Sequence, residues 1–311
     1  MADERNFRSY YYEKVGFRAV EEKKSIELLL KDKPLDVEKL RQYCLRFPVS
    51  ARYRVYLWKI ILGILPANQD SHDFVLKNRT EQYNHLRHAL DVMRKVDNTT
   101  PHTVIFLKMF LIEEGLLPFN DNDLLSNPEY EAYVHIAKAI LGMVENQVDA
   151  YWITNRFYRT FRKNYKECIP ILVEKVKASL KKEDGNQKLI AHFDKHDMWK
   201  ALPLKEWLNC GFASILPESS FERIGDILLG GSVMILIYIA VALFVTLRRP
   251  LLSMKSQEEM LKYLAQIPED SGDVLVSKAI DMWEKHGHHL TKSDSPGPGN
   301  KSPTILHSFT L

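Results

Sequence analysis

Cysteine is scarce in this chain of 311 residues, and the three present, Cys44, Cys168 and Cys210, lie far apart. An odd number at such spacing excludes a disulfide framework and any Cys-x-x-Cys zinc knuckle, and it suits a reducing cytosol. Charge of one sign is not in excess either: 43 basic side chains face 40 acidic ones, a formal net charge of +3. No dense Lys/Arg stretch interrupts the interspersed charges, so no nucleic-acid partner is expected. Residues 1–12 hold charges and aromatics in place of an apolar h-region, so no secretory signal is expected. Stretches that alternate apolar and polar for long are nearly absent, which leaves little room for strands.

The usual signs of catalysis are missing as well. Gly230-Gly231-Ser232 lacks the lysine and the spacing of a phosphate-cradling P-loop. No nucleophile elbow accompanies a Ser/His/Asp order. His286, His288 and His289 cluster without a cysteine or carboxylate frame, so they read as a solvated run and not as metal ligands. Glu21-Glu22 and Glu113-Glu114 are adjacent in sequence, which turns the members of each pair to different parts of a helix surface. They read as solvating charges. Neither a metal nor a cofactor is expected.

What the chain has is apolar residues at helical spacing, within a total of 45% apolar. Residues 21–33 carry Ile26, Leu29 and Leu30 among charges, and Pro34 stops the run. Asp36 caps a second helix with Val37, Leu40 and Tyr43 on it. Ser50 caps a third, with Tyr53, Leu57, Ile60 and Ile61 on one side and Gly63 at its end. Residues 81–96 place Leu86, Leu90 and Met93 on one stripe, and 130–144 and 148–161 give two more helices. Ser219 and Glu222 have capping-box spacing. Loops fall at 68–72, 119–128 and 183–187. Residues 287–311, rich in Pro, Gly and Ser, read as a disordered tail. The fold class is all-α, with no internal repeat.

Residues 227–247 carry no charge and precede Arg248-Arg249. The run approaches the roughly 20 residues of a membrane-spanning helix. The competing reading is a buried helix, apolar all round. Gly230-Gly231-Ser232 near its start breaks the run to about four turns, and Asp226 stands at its entry. These features favour the buried helix.

Several landmarks follow one another in a familiar order. Arg54, Trp58 and Leu62-Gly63 resemble the opening Arg-x-x-x-Trp signature of the TBC domain, the fold of Rab GTPase-activating proteins. Val148-Asp149-Ala150-Tyr151-Trp152 resembles a later acidic-aromatic-Trp element. Trp207, Phe212-Ala213, Leu216-Pro217 and Arg223-Ile224-Gly225-Asp226 follow the distal pattern, with Gly225 where a Trp is expected. The resemblance implies a multi-helix TBC (Rab-GAP-like) domain over 47–252, N-terminal helices 1–46 packed on it, C-terminal helices 253–286, and the tail. It also implies that 227–247 is a core helix and not a membrane span. Arg54 and Trp58 stand one helical turn apart, a spacing that lets them stack as a cation–π pair. Trp58 and Trp152 are expected in the core.

Residues 6–9, 11–18 and 20–24, Ile64-Leu65-Pro66 and residues 276–281 resemble one branch of the family, the third subunit of the tuberous sclerosis complex. That implies a non-catalytic subunit that binds the coiled coil of hamartin directly and meets tuberin through the complex. Tuberin supplies the activation of the GTPase Rheb, which restrains mTOR signalling. The expected location is cytoplasmic, with recruitment to the lysosome surface or vesicles through the complex.

Active TBC domains supply an arginine from Ile-x-x-Asp-x-x-Arg and a glutamine from Tyr-x-Gln. The first stabilises phosphoryl charge and the second orients the attacking water. Here His88-Ala89-Leu90-Asp91-Val92-Met93-Arg94 keeps the Asp and the Arg, with His88 in place of the leading Ile. The glutamine is missing: Tyr133-Val134-His135 offers His135, and another register offers Glu131. Neither reproduces the donor and acceptor of an amide. The alternative reading is an active Rab GTPase activator that uses Arg94. Residues 104–112 form a short helix apolar nearly all round, on which Phe106, Leu107, Met109 and Phe110 share the core-facing arc. Lys108 marks the opposite arc, flanked by Val104, Ile105, Leu111 and Ile112. That arc is expected to be the exposed partner surface, unless the 119–128 loop covers it.

Overall fold

The computed structural model describes residues 24–185 and 187–286. The expectations for the N-terminal landmarks up to residue 23, for His288 and His289, and for the tail lie outside these residues. Among the described residues every regular element is helical, as the sequence implied. Fifteen α-helices are named here: α1 (Val37–Arg46), α2 (Ala51–Ile61), α3 (His72–Val92), α4 (His102–Glu113), α5 (Pro128–Met143), α6 (Gln147–Tyr165), α7 (Ile169–Glu183), α8 (Lys188–Lys195), α9 (Met198–Ala201), α10 (Leu204–Asn209), α11 (Glu218–Gly230), α12 (Ile235–Thr246), α13 (Arg248–Ser253), α14 (Gln257–Leu264) and α15 (Glu269–His286).

The uncharged run becomes two helices. Gly231 ends α11 with φ +109°, a left-handed cap that glycine adopts without a Cβ clash. The next helix, α12, is 12 residues long and spans about 18 Å at 1.5 Å per residue. No helix among the described residues is long and apolar enough to cross a membrane. Ile235 to Phe244 are all buried, because α12 runs through the interior between α7 and α15. A helix walled by protein on all sides needs no polar face.

Capping chemistry sets several boundaries. Asp36 Oδ1 accepts from the amides of Glu38 and Lys39 at 3.1 Å and starts α1. Asn127 and Asn146 open α5 and α6 the same way. Ser50 does precede α2, yet its hydroxyl makes no capping bond. The capping box at Ser219 does not form, since Pro217 precedes the first turn and Ser219 lies inside α11. Glu222 is drawn instead to Arg54. The helix expected at 81–96 starts earlier, at His72, because the 3-10 turn Gln69–Ser71 leads directly into it. Arginines join α1 to α11: Arg41 donates to Leu229 O at 2.7 Å and to Ile61 O at 3.0 Å, and Arg223 donates to Cys44 O at 2.8 Å.

Candidate functional site

Arg54 and Trp58 meet, though not by stacking. Both reach the carboxylate of Asp226, which is fully buried. Trp58 Nε1 donates to Asp226 Oδ1 at 2.8 Å, and Arg54 Nε lies 3.3 Å from the same oxygen. Arg54 also pairs with Glu222 and donates to Val49 O. Burial pushes the Asp226 carboxyl up to about 6, against the pull of Arg54 and the Trp58 N–H. The indole lies over Gly225, where a Cβ would sit 2.6 Å from Trp58 Cζ2. That close approach leaves no room for a side chain at 225, the position where the family pattern has Trp. On its other side Trp58 stacks on Phe157, with centroids 5.8 Å apart. Trp152 is buried too, with Nε1 donating to Arg79 O at 3.0 Å and the Arg79 guanidinium over its ring. These contacts make the cluster a structural lock.

The two finger positions sit elsewhere. Arg94 is exposed, two residues beyond the end of α3, with φ +53°. Its backbone turns there, held by its own amide on Asp91 O at 3.0 Å and by Lys95 N on Leu90 O at 2.9 Å. His135 lies on α5, one-third exposed, with Nε2 3.7 Å from Glu131 Oε1. It lines a groove of about 750 Å³ with Thr103, Lys138, Ser214, Glu218 and Gln266. Arg94 is not among the lining residues. Tyr133, two residues before His135, is fully buried and donates to Phe106 O at 3.3 Å.

The expected partner stripe requires correction. Ile105 and Leu111 are buried at 3% and 0% exposure, and Val104 and Ile112 are half-buried. Lys108 does not mark an open face. Its Nζ bonds Lys95 O at 2.7 Å and pairs with Asp121 at 2.8 Å. Asp121 belongs to the 119–128 loop, so that loop covers the arc. Burial raises the Asp121 carboxyl, and its bonds to Lys108 and Lys95 outweigh this and hold it below its usual value. A helix nearly uniformly apolar has no strong polar face to fix its rotation, and one buried lysine can satisfy itself inward. Glu113 and Glu114 are not simply solvating charges. Glu113 accepts from Tyr151 Oη at 2.7 Å and from Asn155, while Glu114 pairs with Arg159.

The family profile described as Rab-GTPase-TBC domain matches residues 129–252. The chain is 44% identical over 283 residues to TBC1 domain family member 7 of Homo sapiens, an alignment covering 91% of this chain and 96% of that one. The chain belongs to the TBC-domain family. The counterpart in Danio rerio is 40% identical over 288 residues, covering 92% and 97%. In three dimensions this TBC chain is similar to the Ypt/Rab-GAP domain of Gyp1p, with a TM-score of 0.57, 17% identity and coverage of 86% and 99%. A Chlamydomonas flagellar RabGAP TBC domain gives 0.55 and 16%, covering 86% and 93%. At those identities the solved structures speak to the fold alone.

The TBC fold displays an apolar surface that sequence reasoning missed. Lys95 Nζ reaches Pro118 O at 3.3 Å, bonds Phe119 O, and lies 5.6 Å from the centre of the Phe119 ring. These contacts bring the segment after α3 against the segment after α4. Four large exposed apolar side chains flank this contact: Val92 (67%) as the last residue of α3, Met93 (45%) just after it, and Leu116 (57%) and Phe119 (99%) after α4. Arg94 stands among them. Periodicity puts Met93 on a buried stripe with Leu86 and Leu90, but the helix stops at Val92, so Leu90 is buried and Met93 turns out to solvent. Phe119 lies in the 119–128 loop, where periodicity gives no signal.

Proposed function

We propose that this TBC chain is a non-catalytic subunit of a GTPase-activating assembly of the tuberous sclerosis type. In this reading it binds the coiled coil of hamartin, and tuberin provides the activity toward Rheb that restrains mTOR signalling. The chain is then cytoplasmic and reaches the lysosome surface through the complex. The observation that carries the proposal is the occupant of the glutamine position. His135 is a single ring engaged by Glu131, and it offers no amide to hold an attacking water as donor and acceptor at once. The family likeness to TBC1 domain family member 7 supports the assignment to this branch.

The apolar surface of Val92, Met93, Leu116 and Phe119 replaces the 104–112 arc as the proposed coiled-coil seat. Clustered exposed apolar side chains mark protein contacts more often than solvent faces. Capture of the purified chain on an immobilised hamartin coiled coil tests this. Val92→Asp with Phe119→Asp is expected to abolish capture while leaving the melting temperature unchanged. Capture at the unaltered level would move the seat elsewhere. The alternative, an active Rab GTPase activator working through Arg94, predicts Rab hydrolysis that Arg94→Ala removes.

A further inference from the structure

The sequence has no dense basic run, yet the fold assembles a basic surface from four separate segments. At the end of α7 stand Lys181 and Lys182, and Lys188 opens α8. Arg249 lies at the start of α13 and Lys285 at the end of α15. All five are exposed, and none has an ion pair among the described residues. Two acids at the α7–α8 junction hold the segments together. Asp184 pairs with Arg248 at 2.8 Å and caps α8 through the amides of Leu189 at 2.8 Å and Ile190 at 3.3 Å. Glu183 Oε1 accepts a hydrogen bond from His286 Nε2 at 2.9 Å. Asp281 and Glu284, the acids of α15 nearest Lys285 in sequence, line a different groove, beside Arg46 and Arg223. Five cations are thus left around two engaged carboxylates.

We infer that this surface, built from Lys181, Lys182, Lys188, Arg249 and Lys285, docks the chain on an anionic phospholipid membrane. The inference is independent of the proposed subunit role. Lys188 sits at the positive end of the α8 dipole, where a cation works against the helix, so helix stability does not account for it. Four of the five cations are lysines, flexible point charges suited to a field of phosphates and not to the forked recognition of single carboxylates. Clusters of four to eight basic residues on a protein surface are drawn to anionic leaflets, each gaining about 1 kcal/mol, a factor of roughly five in partition.

Flotation of the full chain with phosphatidylcholine vesicles, with and without phosphatidylserine, tests the inference. Binding is expected only to the serine-containing vesicles and is expected to weaken as salt rises. Lys181→Gln, Lys182→Gln and Lys188→Gln together are expected to lower the partition coefficient roughly a hundredfold. A charge-matched control, Lys77→Gln, Lys255→Gln and Lys262→Gln, is expected to float like the unaltered chain. Equal loss in both triple variants would reduce the effect to net charge and overturn the inference, as would full retention in the first. Capture by a polyglutamate peptide in preference to the vesicles would assign the surface to an acidic protein segment and overturn it too. Both variants replace exposed side chains, and a matched melting temperature confirms folding.

Discussion

Two regions of this molecule carry arginines that the family pattern singles out, and the structure treats them in opposite ways. Arg54 is enclosed by Glu222, Asp226 and Val49 O, and it helps to hold α2 against α11. Arg94 stands exposed on a left-handed turn among apolar side chains. A signature residue that folds the domain can only be read from its partners, and Arg54 has three of them. The Arg94 side chain has no partner among the described residues. The comparison therefore separates what the TBC fold requires of its sequence from what remains open to change on its surface.

The largest expected effect lies in the buried half of the molecule. Leu111→Glu places an unpaired carboxylate at a site with no exposure, at a cost of several kcal/mol. Loss of the cooperative melting transition is the expected outcome; a folded, soluble variant would return the 104–112 arc to the surface. Next comes Trp58→Ala, which opens a cavity over Gly225 and strips Asp226 of its N–H donor. It should cost about 3–5 kcal/mol in chemical denaturation, and an unchanged midpoint would dissolve the lock.

A third test sharpens the lock electrostatically. The Asp226 carboxyl is raised from 3.8 to about 6 by burial, so the native state binds the extra proton between those values. Stability contributed by the protonated form is therefore greatest below pH 3.8 and is lost as pH rises through 6. Relative to Asp226→Asn, which does not titrate, the unaltered chain should gain about 3 kcal/mol on acidification across that window. A flat difference would mean that the carboxylate is fully compensated in its charged form. The smallest effect belongs to the exposed half: Arg94→Ala should shift stability by less than about 0.5 kcal/mol. A larger loss would place Arg94 in the fold and erase the contrast with Arg54.

Much of the fold was legible because its causes are local. Asp36 caps α1 as its spacing foretold, and Gly230-Gly231 divides the uncharged run. Arg54, Trp58 and Asp226 all belong to the family landmarks, but spacing alone suggested that Arg54 and Trp58 stack and could not reveal that the two side chains converge on a residue 168 positions away from Trp58. The site was less legible. The rotation of α4 is set by Asp121 and Tyr133, contacts from other parts of the chain, and a helix apolar all round gives no internal signal of it. Ser219 and Glu222 have capping spacing, but Pro217 starts α11 and Arg54 takes the glutamate. Where several partners compete for one side chain, tertiary geometry decides.

The proposed role turns on whether the exposed half retains any chemistry, and a GTPase assay measures that directly. Rheb and a panel of Rab proteins, loaded with GTP, would be followed with the purified chain in excess, beside Arg94→Ala. Intrinsic hydrolysis rates throughout, with the two proteins indistinguishable, are the expected result. A tenfold acceleration, about 1.4 kcal/mol off the barrier, that disappears in Arg94→Ala would contradict it and make Arg94 a working finger.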